Sequence, residues 1–398
     1  MQKITPKWIV IPLALAGMLA YSIPLSSFIG ALISEEIVAS VVDRDFANYW
    51  MAGQLIRVEQ FLALFTQDQY YAVLQQVFGE GYPIHNWSYP PHFLLLLWPL
   101  GYVSYKAGLV LFMLSTFALF IGSLIAFRRE YAPNSPMALL VLALMSYTFM
   151  MLDTAQNGFL TAALLLFGLA FMRSRPIVAA VAFALLTIKP QLGLLIPLLL
   201  LFEKNWRVIV WTSIFTAVLI GISVLSFGIE SWLLYLTETV EYQRFVMTDW
   251  RGIFLRMMPT LFASTRTLGF SADTAFAVQM PLTILGLALT LWLLWRIQDL
   301  QRRIFIILCG TFVVSPYGFN YDMGALTVSA ILLVASDKRL SAFELASIAA
   351  IAVLPAIVMN IGRMSLPVAP LVLTSGLVAL ALALVPGRSV AHQVPNPR

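Results

Sequence analysis

Two aspartates, Asp43 and Asp45, follow the first long apolar run of the chain, and Asn48 and Tyr49 come shortly after them. A carboxylate beside aromatic rings and amides suits a polyol such as a sugar. One aspartate could also take a proton from an acceptor hydroxyl during a displacement. Charged residues at a membrane edge are, however, ordinary without any function. The residues therefore indicate a candidate general base and leave the choice between the two aspartates open.

Two basic residues could bind an anion. Lys189 lies in an apolar run, where a lysine costs several kcal/mol unless it is hydrated or paired. It either binds an anion such as a lipid phosphate or extends its amine to the membrane interface, as lysines near helix ends do. Arg251, between Trp250 and Gly252, is either a second anion ligand or a solvated loop arginine.

Polar residues also occur at three weakly charged tips between apolar runs, and around the two aspartates. Their amide, hydroxyl and carboxylate groups suit either helix caps or ligands for sugar hydroxyls. The predicted sugar- or acceptor-binding residues are Asn48, Tyr49, His85, Tyr89, Gln156, Asn157, Gln191, Asn320, Tyr321 and Asp322. The apolar segments beside Lys189 and Asn320 are about eleven to thirteen residues long, so we expect these tips to line a recessed cavity.

The elements that position these residues are apolar. Of all residues, 60% are hydrophobic and 11% are charged, whereas a soluble domain carries roughly 25% charged residues. Unbroken apolar runs of about 18 or more residues are long enough to cross a bilayer as helices, and they lack the alternation of barrel strands. The predicted fold class is an all-α polytopic membrane protein.

The composition argues against several other kinds of site. The single cysteine, Cys309, excludes an intrachain disulfide and a cysteine-rich metal site, and three scattered histidines leave little for a transition metal. The chain has no glycine-rich phosphate loop, HExxH motif or nucleophile elbow. We expect no metal and no cofactor. Lysines and arginines cluster in short connections, which indicates membrane orientation and no binding of nucleic acid.

The charge distribution predicts the topology of the first part of the chain. Two lysines before a first span over 8–33 place the N terminus in the cytoplasm, and no signal-peptide cleavage site follows. Residues 34–89 are too polar to cross and form a first outer loop, long enough to suggest a function. Within this loop, 49–65 and 69–78 are predicted to be amphipathic helices on the membrane surface.

The next apolar run is long for one span and short for two. One crossing over 106–127, with 91–105 at the interface, places the following arginines in the cytoplasm, and two spans are the alternative. A second outer loop is predicted over 229–279. In total we expect about twelve helical segments with both ends inside. They form a single membrane domain over 1–386, followed by a disordered tail over 387–398.

Five motifs, in this order, carry a resemblance to a known family. They are Asp45-Phe-Ala-Asn-Tyr-Trp-Met-Ala-Gly, Tyr89-Pro-Pro, Gln156-Asn157-Gly, Lys189-Pro-Gln191 and Ser315-Pro-Tyr-Gly-Phe-Asn-Tyr-Asp322. The ordered set resembles glycosyltransferase family 87. That family contains the bacterial polyprenyl-phosphate-mannose-dependent α-mannosyltransferases of the C-type membrane superfamily. The resemblance covers the chain from about residue 8 to residue 322.

The resemblance implies a metal-independent, inverting transfer of a hexose, with mannose as the first candidate. The donor would be a polyprenyl-phosphate sugar and the acceptor a lipid or glycan, among the lipids of the bacterial inner membrane and on its periplasmic side. An acidic residue early in the first outer loop would be the base, here Asp45, with Asp43 as the neighbouring candidate. Lys189 and Arg251 would stabilise the departing phosphate.

One departure from the family pattern concerns the last motif. Some relatives carry histidines where this chain has Tyr321 and Asp322, so the identity of a second polar catalytic group stays open. Two other functions compete with the transferase. A lipid-glycan flippase or transporter usually shows paired halves, and no internal repeat is evident here. A polymer ligase of the same superfamily would more often have its large outer loop late in the chain.

Overall fold

The computed structural model describes residues 44–337 and 339–385, together with scattered positions between 15 and 33. Every regular element in this part of the chain is a helix, which confirms the predicted all-helical fold. Most of the predicted first span (8–33), Asp43 and the predicted tail lie outside the described residues.

The α-helices longer than a single turn are numbered in chain order. They are α1 Phe46–Arg57, α2 Gln67–Phe78, α3 Tyr105–Tyr131, α4 Met137–Thr154, α5 Gly158–Phe171, α6 Pro176–Leu185, α7 Ile196–Phe202, α8 Trp206–Leu234, α9 Val240–Thr248, α10 Leu261–Thr267, α11 Ala272–Arg296, α12 Leu300–Val314, α13 Gly324–Ser336, α14 Ala342–Arg363 and α15 Val368–Leu382. Single α-turns occur at Leu94–Leu97 and Ile253–Arg256, and 3₁₀ turns at Phe61–Phe65, Pro91–Phe93, Trp98–Tyr102, Leu186–Ile188, Pro190–Gly193 and Asn320–Met323.

The apolar helices occur in two lengths. By length and apolar composition, four segments of the described chain can span a bilayer: Tyr105–Tyr131, Trp206–Thr248, Ala272–Arg296 and Ala342–Arg363. Shorter apolar helices cover Gly158–Phe171, Pro176–Ile188, Pro190–Phe202, Asn320–Ser336 and Val368–Leu382. The arrangement of about twelve segments stays a prediction.

The most buried helices are short, and two of the long helices are the most exposed. Nearly every residue of α12 and α13 is buried, as is most of α5. By contrast, α8 and α11 expose large apolar side chains such as Leu225 (88% exposed) and Trp295 (63% exposed). An apolar exterior is stable in lipid, because no water has to be displaced from it, so these long helices present a lipid-facing surface.

Residues 91–102 form a broken chain of turns. Pro91–Phe93, Leu94–Leu97 and Trp98–Tyr102 are separate short elements. Even as one helix, twelve residues would rise only about 18 Å, well short of the roughly 30 Å of hydrocarbon. Ser104 then caps α3 by accepting a hydrogen bond from the Ala107 amide. One crossing by α3 therefore fits this region better than the two-span alternative.

Helix α1 differs from the prediction of a surface helix over 49–65. It starts at Phe46, ends at Arg57, and has eight of its twelve residues buried. The reason is a close backbone approach: a Cβ at Gly53 would lie 2.6 Å from the Gly101 nitrogen. This contact packs α1 against the turn Trp98–Tyr102, so the start of the first loop is folded into the protein.

The segment predicted as a second outer loop begins inside a helix. The helical path runs from Trp206 to Thr248, through a bend at Gly228 and a π-helical turn at Tyr235–Thr239. Gly228 has a φ of 76°, a conformation that favours glycine, so the chain bends there without unfolding. Residues 229–248 are therefore helical, and they contact the first loop, where the Thr239 hydroxyl donates to the Phe65 carbonyl.

Candidate functional site

Two of the polar tips pack directly on each other. After α4 ends at Thr154, Ala155 adopts a left-handed conformation (φ 50°), and α5 begins at Gly158. A Cβ at Gly158 would collide with the Tyr321 carbonyl. Tyr147 of α4 donates to the same carbonyl at 2.8 Å. The turn between α4 and α5 is therefore fixed against the 3₁₀ turn that precedes α13.

The third tip joins them through a buried ion pair. Lys189 lies between two 3₁₀ turns, and its Nζ is 2.7 Å from Asp322 Oδ1. The same ammonium lies 4.7 Å from the ring centroid of Tyr321 and 5.9 Å from that of Tyr89. Lys189 is only 5% exposed. The alternative of a lysine that reaches the membrane interface is therefore wrong, because its charge is paired inside the protein.

Asp45 lies at the other end of the same cluster, which consists of Asp45, Tyr49, Tyr89, Gln156, Asn157, Lys189, Tyr321 and Asp322. It is the residue immediately before α1, and its carboxylate accepts a hydrogen bond from the Gln156 side-chain amide. The Gln156 carbonyl accepts from the Tyr49 hydroxyl at 3.2 Å. The Tyr49 hydroxyl in turn lies 2.9 Å from the Tyr89 hydroxyl. Burial raises the pKa of both phenols well above the usual value, so both stay protonated.

Comparison with known protein families identifies the family of this chain. The model of glycosyltransferase family 87 matches residues 87–316, more than half of the chain. The chain belongs to glycosyltransferase family 87. It is a membrane glycosyltransferase, which acts on a sugar donor and an acceptor. Searches of curated proteins and of solved structures gave no match.

The family 87 match and the cluster overlap in part. Tyr89, Gln156 and Lys189 lie within the matched residues, whereas Asp45 and Asp322 lie outside them. The contacts of the cluster therefore connect the matched region to the chain on either side of it.

Two further residues of this glycosyltransferase, neither of them predicted, lie next to the cluster through Ser88, the neighbour of Tyr89. Gln243 of α9 donates to the Ser88 hydroxyl at 2.7 Å and accepts from the Tyr317 hydroxyl at 3.3 Å. Tyr317 belongs to the Ser315-Pro-Tyr motif, which could have drawn attention to it. Gln243 lies in a segment with no comparable sequence signal, and only the helical extension of α8 through α9 brings it there.

Two of the predicted ligands, Asn48 and Asn320, have hydrogen-bond partners within the protein. Asn48 accepts from the Tyr70 hydroxyl at 2.6 Å and donates to the Asn86 carbonyl at 3.5 Å. The Asn320 amide donates to the Pro355 carbonyl at 3.1 Å, and its side-chain oxygen accepts from the next backbone amide. Both side chains are buried. Their contacts hold α1 and α13 in place.

The remaining predicted residues vary in their distance from the cluster. His85 shares a 3.0 Å hydrogen bond with Tyr82, within the loop after α2. Arg251 is exposed and makes two long bonds, at 3.4 Å, to the Gly269 carbonyl. Gln191 is half-buried in the turn that follows the buried lysine.

Some polar atoms of the cluster have no partner within the described part of the chain. They are both side-chain polar atoms of Asn157, which is fully buried, and Oδ2 of Asp322. Such atoms are costly to bury unless something bonds to them. Among the residues that the structure describes, no group of three histidine, cysteine, aspartate or glutamate side chains could hold a metal ion.

Proposed function

We propose that the protein transfers a hexose, with mannose as the first candidate, from a polyprenyl-phosphate donor to a lipid or glycan acceptor. The reaction inverts the anomeric centre and takes place on the periplasmic side of the inner membrane, with both termini in the cytoplasm. One observation supports it most: a carboxylate, Asp45, and an ammonium, Lys189, lie at opposite ends of one cluster and are connected through Gln156, Tyr49 and Tyr89.

Asp45 acts as the general base in this proposal. The acceptor hydroxyl gives its proton to the Asp45 carboxylate while its oxygen bonds to the anomeric carbon. The bond between that carbon and the phosphate oxygen breaks, and polyprenyl phosphate leaves with the electron pair. A single displacement of this kind inverts the configuration. Asp43, two residues earlier, is the alternative base.

Lys189 stabilises the negative charge that develops on the leaving phosphate. Its position supports this role because an ammonium buried among aromatic rings is largely free of water, where a charge interacts strongly. The phosphate would share the ammonium with Asp322. Arg251, on the exposed segment before the turn Ile253–Arg256, would contact the phosphate only when the donor is bound.

The sugar and the acceptor would be held by the polar groups between these two ends. Tyr49, Tyr89 and Gln156 offer hydroxyl and amide groups, and the unpartnered amide of Asn157 lies in the adjacent turn. Tyr321 offers a ring face for the sugar. His85 and Gln191 are candidates at the edge of the cluster.

The test is transfer of radiolabelled sugar from polyprenyl-phosphate-mannose to a panel of membrane lipids in proteoliposomes. We would compare wild type with Asp45→Asn and Asp43→Asn at matched protein levels. We expect wild-type transfer, loss of at least about 1,000-fold in Asp45→Asn, and little change in Asp43→Asn. The product should have the anomeric configuration opposite to that of the donor.

Other outcomes would contradict the proposal in identifiable ways. Loss in Asp43→Asn alone would make Asp43 the base. Equal transfer by both variants would exclude a carboxylate base from this loop. Movement of labelled lipid across the bilayer without a new glycosidic bond would support the flippase in place of the transferase.

A further inference from the structure

The hydrogen bonds that connect Tyr89 to Asp45 all point toward Asp45. The Gln156 amide nitrogen donates to Asp45, so the Gln156 carbonyl must face Tyr49 and accept its proton. Tyr49 has a single hydroxyl proton and donates it to Gln156. Its contact with Tyr89, at 2.9 Å, therefore requires Tyr89 to be the donor. The order of donation is Tyr89 to Tyr49 to Gln156 to Asp45.

We propose that Gln156 is a positioning residue, which keeps the Asp45 carboxylate ionised and oriented for the acceptor hydroxyl. It does so as the last donor of the chain that begins at Tyr89. This role adds to that of sugar ligand predicted for Gln156 from the sequence, because Asp45 takes only one of the two hydrogens of the Gln156 amide. The proposal rests on the proposed function for the role of Asp45 as base.

The elements that carry these hydrogen bonds are rigid at Gln156 and at Tyr49. Gln156 is 3% exposed and lies in the turn that Gly158 fixes against the Tyr321 carbonyl. Tyr49 is fully buried on α1, the helix that directly follows Asp45. The amide therefore cannot move away from the carboxylate without moving the turn. A donor held in this way favours the charged form of its acceptor, because the hydrogen bond is stronger to a carboxylate than to a carboxylic acid.

Other ionisable groups around Asp45 also affect its charge. Arg44 adjoins it but is 3.5 Å from Asp153 on α4, which shares its positive charge. Asp322 and Lys189 form a pair of their own, so their opposite effects on Asp45 largely cancel. The phenols that interact electrostatically with Asp45 are Tyr49, Tyr70, Tyr89, Tyr317 and Tyr321.

These phenols supply no full charge at neutral pH. Burial raises the pKa of Tyr49, Tyr70, Tyr89 and Tyr317, all of them outside the spanning helices, so these four remain neutral. Gln156 provides a neutral donor to the carboxylate. The orientation of its amide depends on Tyr49, because the Tyr49 hydroxyl donates to the Gln156 carbonyl.

The experiment measures the ionisation of Asp45 in two independent ways. One is the pH dependence of kcat/KM. The other is the pH dependence of Asp45 labelling by dicyclohexylcarbodiimide, which modifies protonated carboxyls in membrane proteins, followed by mass spectrometry. The variants are Gln156→Leu and Gln156→Glu, with Gln54→Leu as the matched control. Gln54 lies on helix α1, which also carries Tyr49, and donates to the Leu100 carbonyl, away from the cluster.

We expect the labelling midpoint to rise by about one pH unit in Gln156→Leu, because a donor to the charged form is lost. In Gln156→Glu the added carboxylate repels that of Asp45, so the rise should be larger. Since the base must be ionised, the acid limb of kcat/KM should move upward by the same amount. Tyr49→Phe should cause a smaller rise, and Gln54→Leu none.

Unchanged midpoints in the folded Gln156 variants would overturn the proposal, whether or not the protein transfers sugar. The isosteric Gln156→Glu variant covers the case in which Gln156→Leu does not fold. A shifted midpoint together with full transfer by Asp45→Asn would support the positioning contact and refute Asp45 as base. Loss of transfer in Asp45→Asn with unshifted midpoints would do the reverse.

Discussion

Replacing Lys189 by methionine would leave the Asp322 carboxylate buried without a counter-charge. The two side chains are 7% and 0% exposed, and one carboxylate oxygen has no partner in the described chain even with the lysine present. An exposed ion pair contributes about 0–1 kcal/mol to stability. Removing one partner of a buried pair costs about 3–5 kcal/mol, because the remaining charge is desolvated. We therefore expect Lys189→Met to lose about 3–5 kcal/mol of stability.

The double variant, Lys189→Met with Asp322→Leu, should recover most of that free energy, since neither charge is then buried. Transfer activity should not recover, because the proposed phosphate ligand is absent. The two effects together separate a structural role of the pair from a role of the lysine in the reaction.

The assay is unfolding of the purified protein in mild detergent, as a double-mutant cycle over the two positions. Lys204→Met, at an exposed lysine, is the control and should change stability by less than about 0.5 kcal/mol. A loss below about 1 kcal/mol in Lys189→Met would refute the burial argument. Full transfer by the double variant would refute the phosphate role of Lys189.

Two further predictions follow from packing and burial. Gly158→Ala should cost about 1–3 kcal/mol of stability, because its Cβ meets the rigid Tyr321 carbonyl. The control Gly221→Ala, whose Cβ meets nothing within 4 Å, should cost nothing. Equal melting temperatures for the two variants would contradict the clash. Burial lowers the pKa of His92 to about 4, so unfolding binds a proton between about pH 4 and 6.5, and stability should fall by up to about 3 kcal/mol as the pH drops through that window. His92→Gln should lose this part of the pH dependence, as measured by melting temperature from pH 7 to pH 4, and parallel curves for wild type and variant would rule it out.

The helical class was predictable because it depends on local properties of the chain. Apolar runs without alternation can satisfy their backbone only as helices in lipid. The breaks were predictable for the same reason: Lys189-Pro190 and Gln156-Asn157-Gly158 interrupt apolar runs with residues that do not continue a helix. The bounds of α1 and the continuation of α8 into α9 were not, because each depends on a contact with another element.

Individual roles within the polar set were less accessible. Asn48 and Asn320 have the same residue types as good sugar ligands, yet both bond inside the protein. Gln243 has no distinguishing neighbours in sequence and still bonds to Ser88, beside the cluster. The sequence shows that a residue carries an amide, but it does not show which group that amide bonds to, since many positions of a helical bundle can offer a carbonyl or a hydroxyl.

The sequence alone determined that the chain is helical, that its polar groups occur at breaks between apolar segments, and that the order of its motifs resembles family 87. Only the tertiary structure decided which of these groups meet. Asp45 and Gln156 are 111 residues apart, and Lys189 and Asp322 are 133 apart. Apolar helix faces resemble one another, so sequence periodicity does not say which helices pack together. The packing of α13 against α4 and α5 brings together the turns that carry Gln156 and Asp322.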